Sequence, residues 1–111
     1  GIWHYQPYNL SAFQAETYDT HEIQDYHINV ANKVYGPATV KLTVKGLPQG
    51  MYSLSARRVD FATAGRKDVY LHVKPGLRDG IYPITILADS DDGWHGRFRM
   101  DHVAISHEPI E

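Results

Sequence analysis

Apolar residues recur at every second position in this chain, in short runs broken by glycine and proline. The clearest runs share one design. Tyr26, Ile28 and Val30 alternate with Asp25, His27 and Asn29 within residues 23–33, and Val40, Leu42 and Val44 alternate with lysines and threonines in 39–45. Val69, Leu71 and Val73 repeat the pattern in 67–74, and Tyr82, Ile84, Ile86 and Ala88 form a further inward set. A period of two puts successive side chains on opposite faces of a strand, so each run predicts one face in a core and one in water.

Shorter strands are expected at 51–55 and 58–62. Residues 1–10 form an irregular or edge-like lead-in; residues 10–19 fit both a helical turn and alternation and are read as a strand, and 1–19 together lead into the domain. Gly36-Pro37, Gly46 to Gly50, Ala64-Gly65, Pro75-Gly76 and the polar segment from Asp89 to Gly93 supply turns. The last strand, 94–106, changes phase: Phe98 and Met100 share one parity, Val103 and Ile105 the other. A β-bulge near Asp101 or His102 is expected to return both pairs to one core.

About seven antiparallel strands with no convincing helix, in 111 residues, predict an all-β, immunoglobulin-like sandwich as a single domain over 1–111. A small barrel is the competing architecture. Eight of the aromatic residues are tyrosines, whose apolar body and polar tip suit half-buried sheet positions. No apolar run reaches the ~18 residues of a membrane-spanning helix. The start, Gly1 to Tyr5, lacks the basic-then-apolar order of a signal peptide, and the expectation is a piece of something longer.

A net charge of −2 gives no electrostatic reason to expect nucleic acid as partner. The absence of cysteine removes disulfides, thiol catalysis and thiolate-held zinc or iron–sulfur clusters from this chain. Seven histidines, His4, His21, His27, His72, His95, His102 and His107, include no His-x-His pair, and His27 and His72 fall on outward parity. His21-Glu22 lacks the second histidine of a zinc-protease helix, with Asp25 standing in its place. Asp89, Asp91, Asp92 and Gly93 depart from a calcium loop, because Met100 occupies the position of the bidentate glutamate. No nucleophile elbow or phosphate-binding glycine pattern occurs. The expected catalytic, cofactor and metal residues are therefore none. Arg57-Arg58 with Arg66-Lys67 read as one solvated basic edge, and Trp3 and Trp94 as covers for the ends of the sandwich.

Residues Ile23-Gln24-Asp25-Tyr26-His27-Ile28-Asn29-Val30-Ala31-Asn32-Lys33, then Val40 to Val44, then Gly46-Leu47-Pro48, resemble the C-terminal immunoglobulin-like domain of FixG/CcoG-type proteins. Those domains carry a strand of the form I-x-N-x-Y-x-L-x-x-x-N-K, followed by a second strand that leads into a Gly-Leu-Pro turn. Asp79-Gly80-Ile81-Tyr82-Pro83-Ile84 is similar to the family's G-x-x-P-I segment. Asp25 stands where the family favours Asn, and the step from Ile23 to Tyr26 is one residue shorter.

The resemblance implies the tail of a polytopic bacterial membrane protein that serves maturation of haem–copper cytochrome oxidases and handles copper redox state. Iron–sulfur clusters belong to the rest of such a protein. This domain is then a non-catalytic, periplasm-facing module that contacts a protein partner or the parent membrane domain, with no cofactor of its own. Two alternatives come from other classes. One is a carbohydrate-associated or adhesion-type sandwich using Trp3, Trp94 and exposed tyrosines; the other is a histidine-based copper-binding domain.

Overall fold

The alternating runs become two facing sheets. A computed structural model describes residues 7–14 and 25–105. Eight strands follow in order: β1 Tyr8–Gln14, β2 Asp25–Asn32, β3 Ala38–Lys45, β4 Tyr52–Leu54, β5 Arg58–Phe61, β6 Gly65–Val73, β7 Gly80–Ser90 and β8 His95–Ala104. One sheet has the order β1-β2-β6-β4 and the other β5-β3-β7-β8, and every neighbouring pair is antiparallel. This is the immunoglobulin arrangement of four strands over three, with β5 added beside β3.

The inward faces are those the alternation predicts. Tyr26, Ile28 and Val30 of β2 and Val69, Leu71 and Val73 of β6 lie fully buried against Val40, Leu42 and Val44 of β3 and Ile84, Ile86 and Ala88 of β7. Each such branched side chain contributes about 1.5–3 kcal/mol by leaving water, so β2, β3, β6 and β7 hold the sandwich together.

The two short motifs behind the family resemblance have physical causes here. Asn32 is buried at the end of β2. It accepts from the Val34 backbone N–H at 3.0 Å and donates to the carbonyls of Gly36 and Thr63 at 3.2 and 3.3 Å. One side chain thus closes the turn that carries the chain between sheets and ties it to the β5–β6 loop. Gly46 has φ +103°, and a Cβ there would lie 2.1 Å from the Pro83 carbonyl oxygen. Only glycine lets the turn after β3 lie against β7.

Three expectations need correction. β1 begins at Tyr8, inside the segment read as irregular, because Tyr8 and Leu10 alternate into the core; residues 15–24, with the rest of that expected strand, lie outside the described residues. The bulge in the last strand is not there. β7 and β8 pair without interruption from Gly80↔Ala104 to Asp89↔His95. The inward set is therefore Phe98, Met100, His102 and Ala104, and Val103 and Ile105 face outward, each half exposed. A histidine takes the core position because the Tyr26 hydroxyl meets its Nδ1 at 2.5 Å. Finally, the basic residues read as one cluster are divided between sheets: Arg58 pairs with Asp60 on β5, while Arg66 and Lys67 lie on β6.

Candidate interaction surface

The outer face of the β1-β2-β6-β4 sheet gathers side chains that the linear sequence keeps apart. Register places Phe13, His27 and Tyr70 in one row across β1, β2 and β6. The His27 ring lies 4.6 Å from Phe13 and 4.9 Å from Tyr70, centre to centre. Phe13 and Tyr70 are 53% and 50% exposed, so this row is a ridge open to water.

Polar pairs flank it on both sides. His72 Nδ1 and Asp25 Oδ1, opposite each other on β6 and β2, are 2.6 Å apart. In the next row Asn29 donates to Asp68 Oδ1 at 2.9 Å. His27 Nε2 also approaches that oxygen, at 2.7 Å, without the alignment of a hydrogen bond. The Asn29 amide, with the His27 ring beside it, holds the Asp68 carboxyl below the usual carboxylate range.

The histidines are distributed rather than gathered. His27 and His72 face outward as expected; His95 meets Asp89 at 2.5 Å on the other sheet; His102 is buried with Tyr26. Among the described residues no three His, Asp or Glu side chains converge as metal ligands. His4, His21 and His107 lie outside those residues. The polar turn after β7 is a hairpin whose carboxylates have other partners: Asp92 accepts from Ser90 and Tyr8, and Asp91 faces the Thr39 N–H.

Trp94 behaves as a cover. Its ring lies 5.0 Å from Tyr8 and lies directly over Gly96, where a Cβ would come within 2.3 Å of it. Beside it, Asn9, Leu10, His95 and Arg97 line an open cleft of about 300 Å³ between the edges of β1 and β8. Trp3 lies outside the described residues. The exposed aromatic row is thus made of Phe13, His27 and Tyr70, which sequence reasoning did not select. Their only sequence signal was outward parity, and nothing short of strand register brings them together.

The outer face of the second sheet is different in charge. β3, β7 and β8 present Lys41, Lys45, Arg97 and Arg99 around Thr43, Thr85 and Leu87. Among the described residues none of these four cations makes an ion pair.

This geometry can be set beside known structures. A FixG-related protein from Vibrio parahaemolyticus superposes with a TM-score of 0.70 at 16% identity, over 90% of this chain and 98% of that one. The fold is that of a FixG-related protein. A PapD-like domain of human CEP192 matches at TM-score 0.66 and 14% identity, over 92% and 87% of the two chains. The cupredoxin domain of amoB from Nitrosocaldus yellowstonii matches at 0.53 and 11%, over 79% and 62%. No protein-family model and no curated protein sequence matches the chain. The FixG-like immunoglobulin sandwich expected from the short motifs is the fold observed.

Proposed function

We propose that this chain is a non-catalytic, protein-interaction domain of a FixG/CcoG-like membrane iron–sulfur protein, serving haem–copper oxidase maturation and copper redox handling on the periplasmic side. The superposition on a FixG-related protein over nearly the whole length of both chains carries this reading. The residues that resemble the family's motifs support it, because Asn32 and Gly46 occupy positions where their chemistry closes the fold. The redox centres belong to other parts of the parent protein, and this domain contacts a partner or steadies the assembly.

The test is removal of the domain from the full-length parent protein in its own bacterium. Assembled, spectroscopically visible haem–copper oxidase is expected to fall while the membrane-embedded remainder still accumulates with its clusters. Undiminished oxidase in the deletion strain overturns the proposal. So does a parent gene without membrane spans and cysteine-rich cluster motifs.

The carbohydrate-associated alternative needs open ring faces on which sugar rings can stack. Here Tyr70 stacks on His27 and Phe13 lies tilted against it, while Trp94 packs on Tyr8 and over Gly96.

A further inference from the structure

Strand register sorts the charges of this chain by side. The outward positions of β5, β3, β7 and β8 carry five cations, Lys41, Lys45, Arg58, Arg97 and Arg99, against three carboxylates. Of these acids, Asp60 accepts from Arg58 and Thr39, Asp89 meets His95 at 2.5 Å, and Asp101 stands opposite Pro83. The rest of the chain holds six cations and ten carboxylates. The summed field over this face is therefore positive, on a chain whose net charge is −2.

One end of the same face is apolar. Ile81 and Val103 are direct cross-strand partners, 67% and 50% exposed, and Ile105 follows at the next outward position, 50% exposed. The aromatic residues of these strands, Phe61, Tyr82 and Phe98, alternate to the inner side. Hot spots for protein partners are enriched in Trp and Tyr and poor in Val and Leu, and the exposed aromatic row of this domain lies on the other sheet. Branched aliphatic side chains beside cations have the composition of a lipid-interface surface instead. There, apolar groups enter the headgroup boundary and cations meet anionic lipid.

We infer that the outer face of the β5-β3-β7-β8 sheet rests on an anionic lipid surface. Lys41, Lys45, Arg97 and Arg99 lie against the headgroups, and Ile81 and Val103 sit where apolar side chains leave water. The two sheets of a sandwich turn their outer faces in opposite directions. This placement therefore aims the Phe13–His27–Tyr70 row away from the bilayer, towards a protein partner. The inference rests on the reading of this chain as a domain of a membrane-anchored protein, whose tether raises the local concentration so that a modest attraction suffices. Each lysine or arginine near an anionic surface strengthens binding about fivefold, so a surplus of two gives roughly 25-fold.

The probes are vesicles of phosphatidylcholine alone and of phosphatidylcholine and phosphatidylglycerol in equal parts, sedimented with the 111-residue chain. Binding to the anionic vesicles is expected to be at least about tenfold tighter, and to fall as salt is added. Lys41→Glu/Lys45→Glu should weaken it at least about tenfold. Arg66→Glu/Lys74→Glu, at exposed positions on the side of the other sheet, makes the same change of net charge and should cost no more than about threefold. Ile81→Ser/Val103→Ser should weaken binding about threefold or more. With gadolinium-carrying lipid and isotope-labelled protein, amides of β3, β7 and β8 should broaden before those of β1 and β2. Equal binding to both vesicles, equal loss in the two charge variants, or broadening centred on the Phe13–His27–Tyr70 row overturns the inference. So does a protein partner seated on the face of Lys41 and Arg99, an outcome that leaves the interaction role intact. Oxidase assembly in the deletion strain reports on that role whatever the vesicles show.

Discussion

The Tyr26 hydroxyl and His102 Nδ1 meet at 2.5 Å inside the sandwich, joining β2 of one sheet to β8 of the other. Both residues are almost wholly buried. Burial pushes the Tyr26 phenol above its ordinary range, so it stays neutral and shares one hydrogen bond with the imidazole Nδ1. A buried polar pair of this kind costs little while both partners are present and much when one is lost.

Tyr26→Phe should therefore destabilise the domain by about 1–3 kcal/mol, the penalty of a buried polar group left without its partner. His102→Leu should cost a similar amount, and the double variant clearly less than the sum. Urea unfolding of the four proteins measures this coupling. Strict additivity would show that the contact contributes nothing.

Gly46 and Gly50 offer a matched comparison. Both have positive φ, but a Cβ at Gly46 meets the Pro83 backbone and one at Gly50 meets nothing within 4 Å. Gly50→Ala should cost about 1–2 kcal/mol, from backbone conformation alone. Gly46→Ala should cost clearly more, because β7 must also move. Equal losses in chemical denaturation would remove the steric part of this account.

Asn32→Ala removes one accepted and two donated hydrogen bonds from a buried turn, and a loss of about 2–3 kcal/mol is expected. Asn32→Asp keeps the acceptor for Val34 but loses both donors and brings a charge into the site. It should be no more stable than the alanine variant at neutral pH, and thermal melting of the two decides the matter.

Gly96→Ala should displace Trp94 from Tyr8, since the new methyl group meets the indole ring rather than backbone. The expected cost is about 1 kcal/mol, the scale of one lost aromatic contact, with Trp94 emission shifted to the red. Unchanged fluorescence would show that the ring had not moved.

Stability should decline at both ends of the pH scale. Asp92, hydrogen-bonded by Ser90 and Tyr8, is held below its ordinary value of 3.8, and Asp60 and Asp68 are lowered by their own partners. A depressed folded-state value gives stability that is present above about pH 4 and lost as pH falls through it. Tyr8, through burial and then Asp92, and Tyr26, through burial, are raised above 10.0. Their contribution is complete below pH 10.0 and is lost as pH rises further. Denaturation midpoints measured against pH should show both declines. Asp92→Asn should make the acid limb shallower, and Tyr8→Phe the alkaline one.

Much of this fold is legible in the sequence because a period of two has one physical meaning. Val40, Leu42 and Val44 cannot all reach a core except from one face of a strand, and β2, β3, β6 and β7 follow from that. Asn32 and Gly46 were visible as family-like motifs before their contacts with Thr63 and Pro83 explained them. The last strand misled because parity was judged by hydropathy. Hydropathy turns Val103 and Ile105 inward through a bulge, whereas His102 takes the core position, and the side chain that makes it tolerable there belongs to Tyr26, 76 residues away.

The sequence by itself determined that the chain alternates into a cysteine-free sandwich, since strand faces are set by neighbours two residues apart. Tertiary structure alone decided which faces are useful. Strand register aligned Phe13, His27 and Tyr70 across three strands, and sheet order set that row on an outer face of a chain whose net charge is −2. Cross-strand pairing couples residues dozens of positions apart, and no local pattern encodes such a distance.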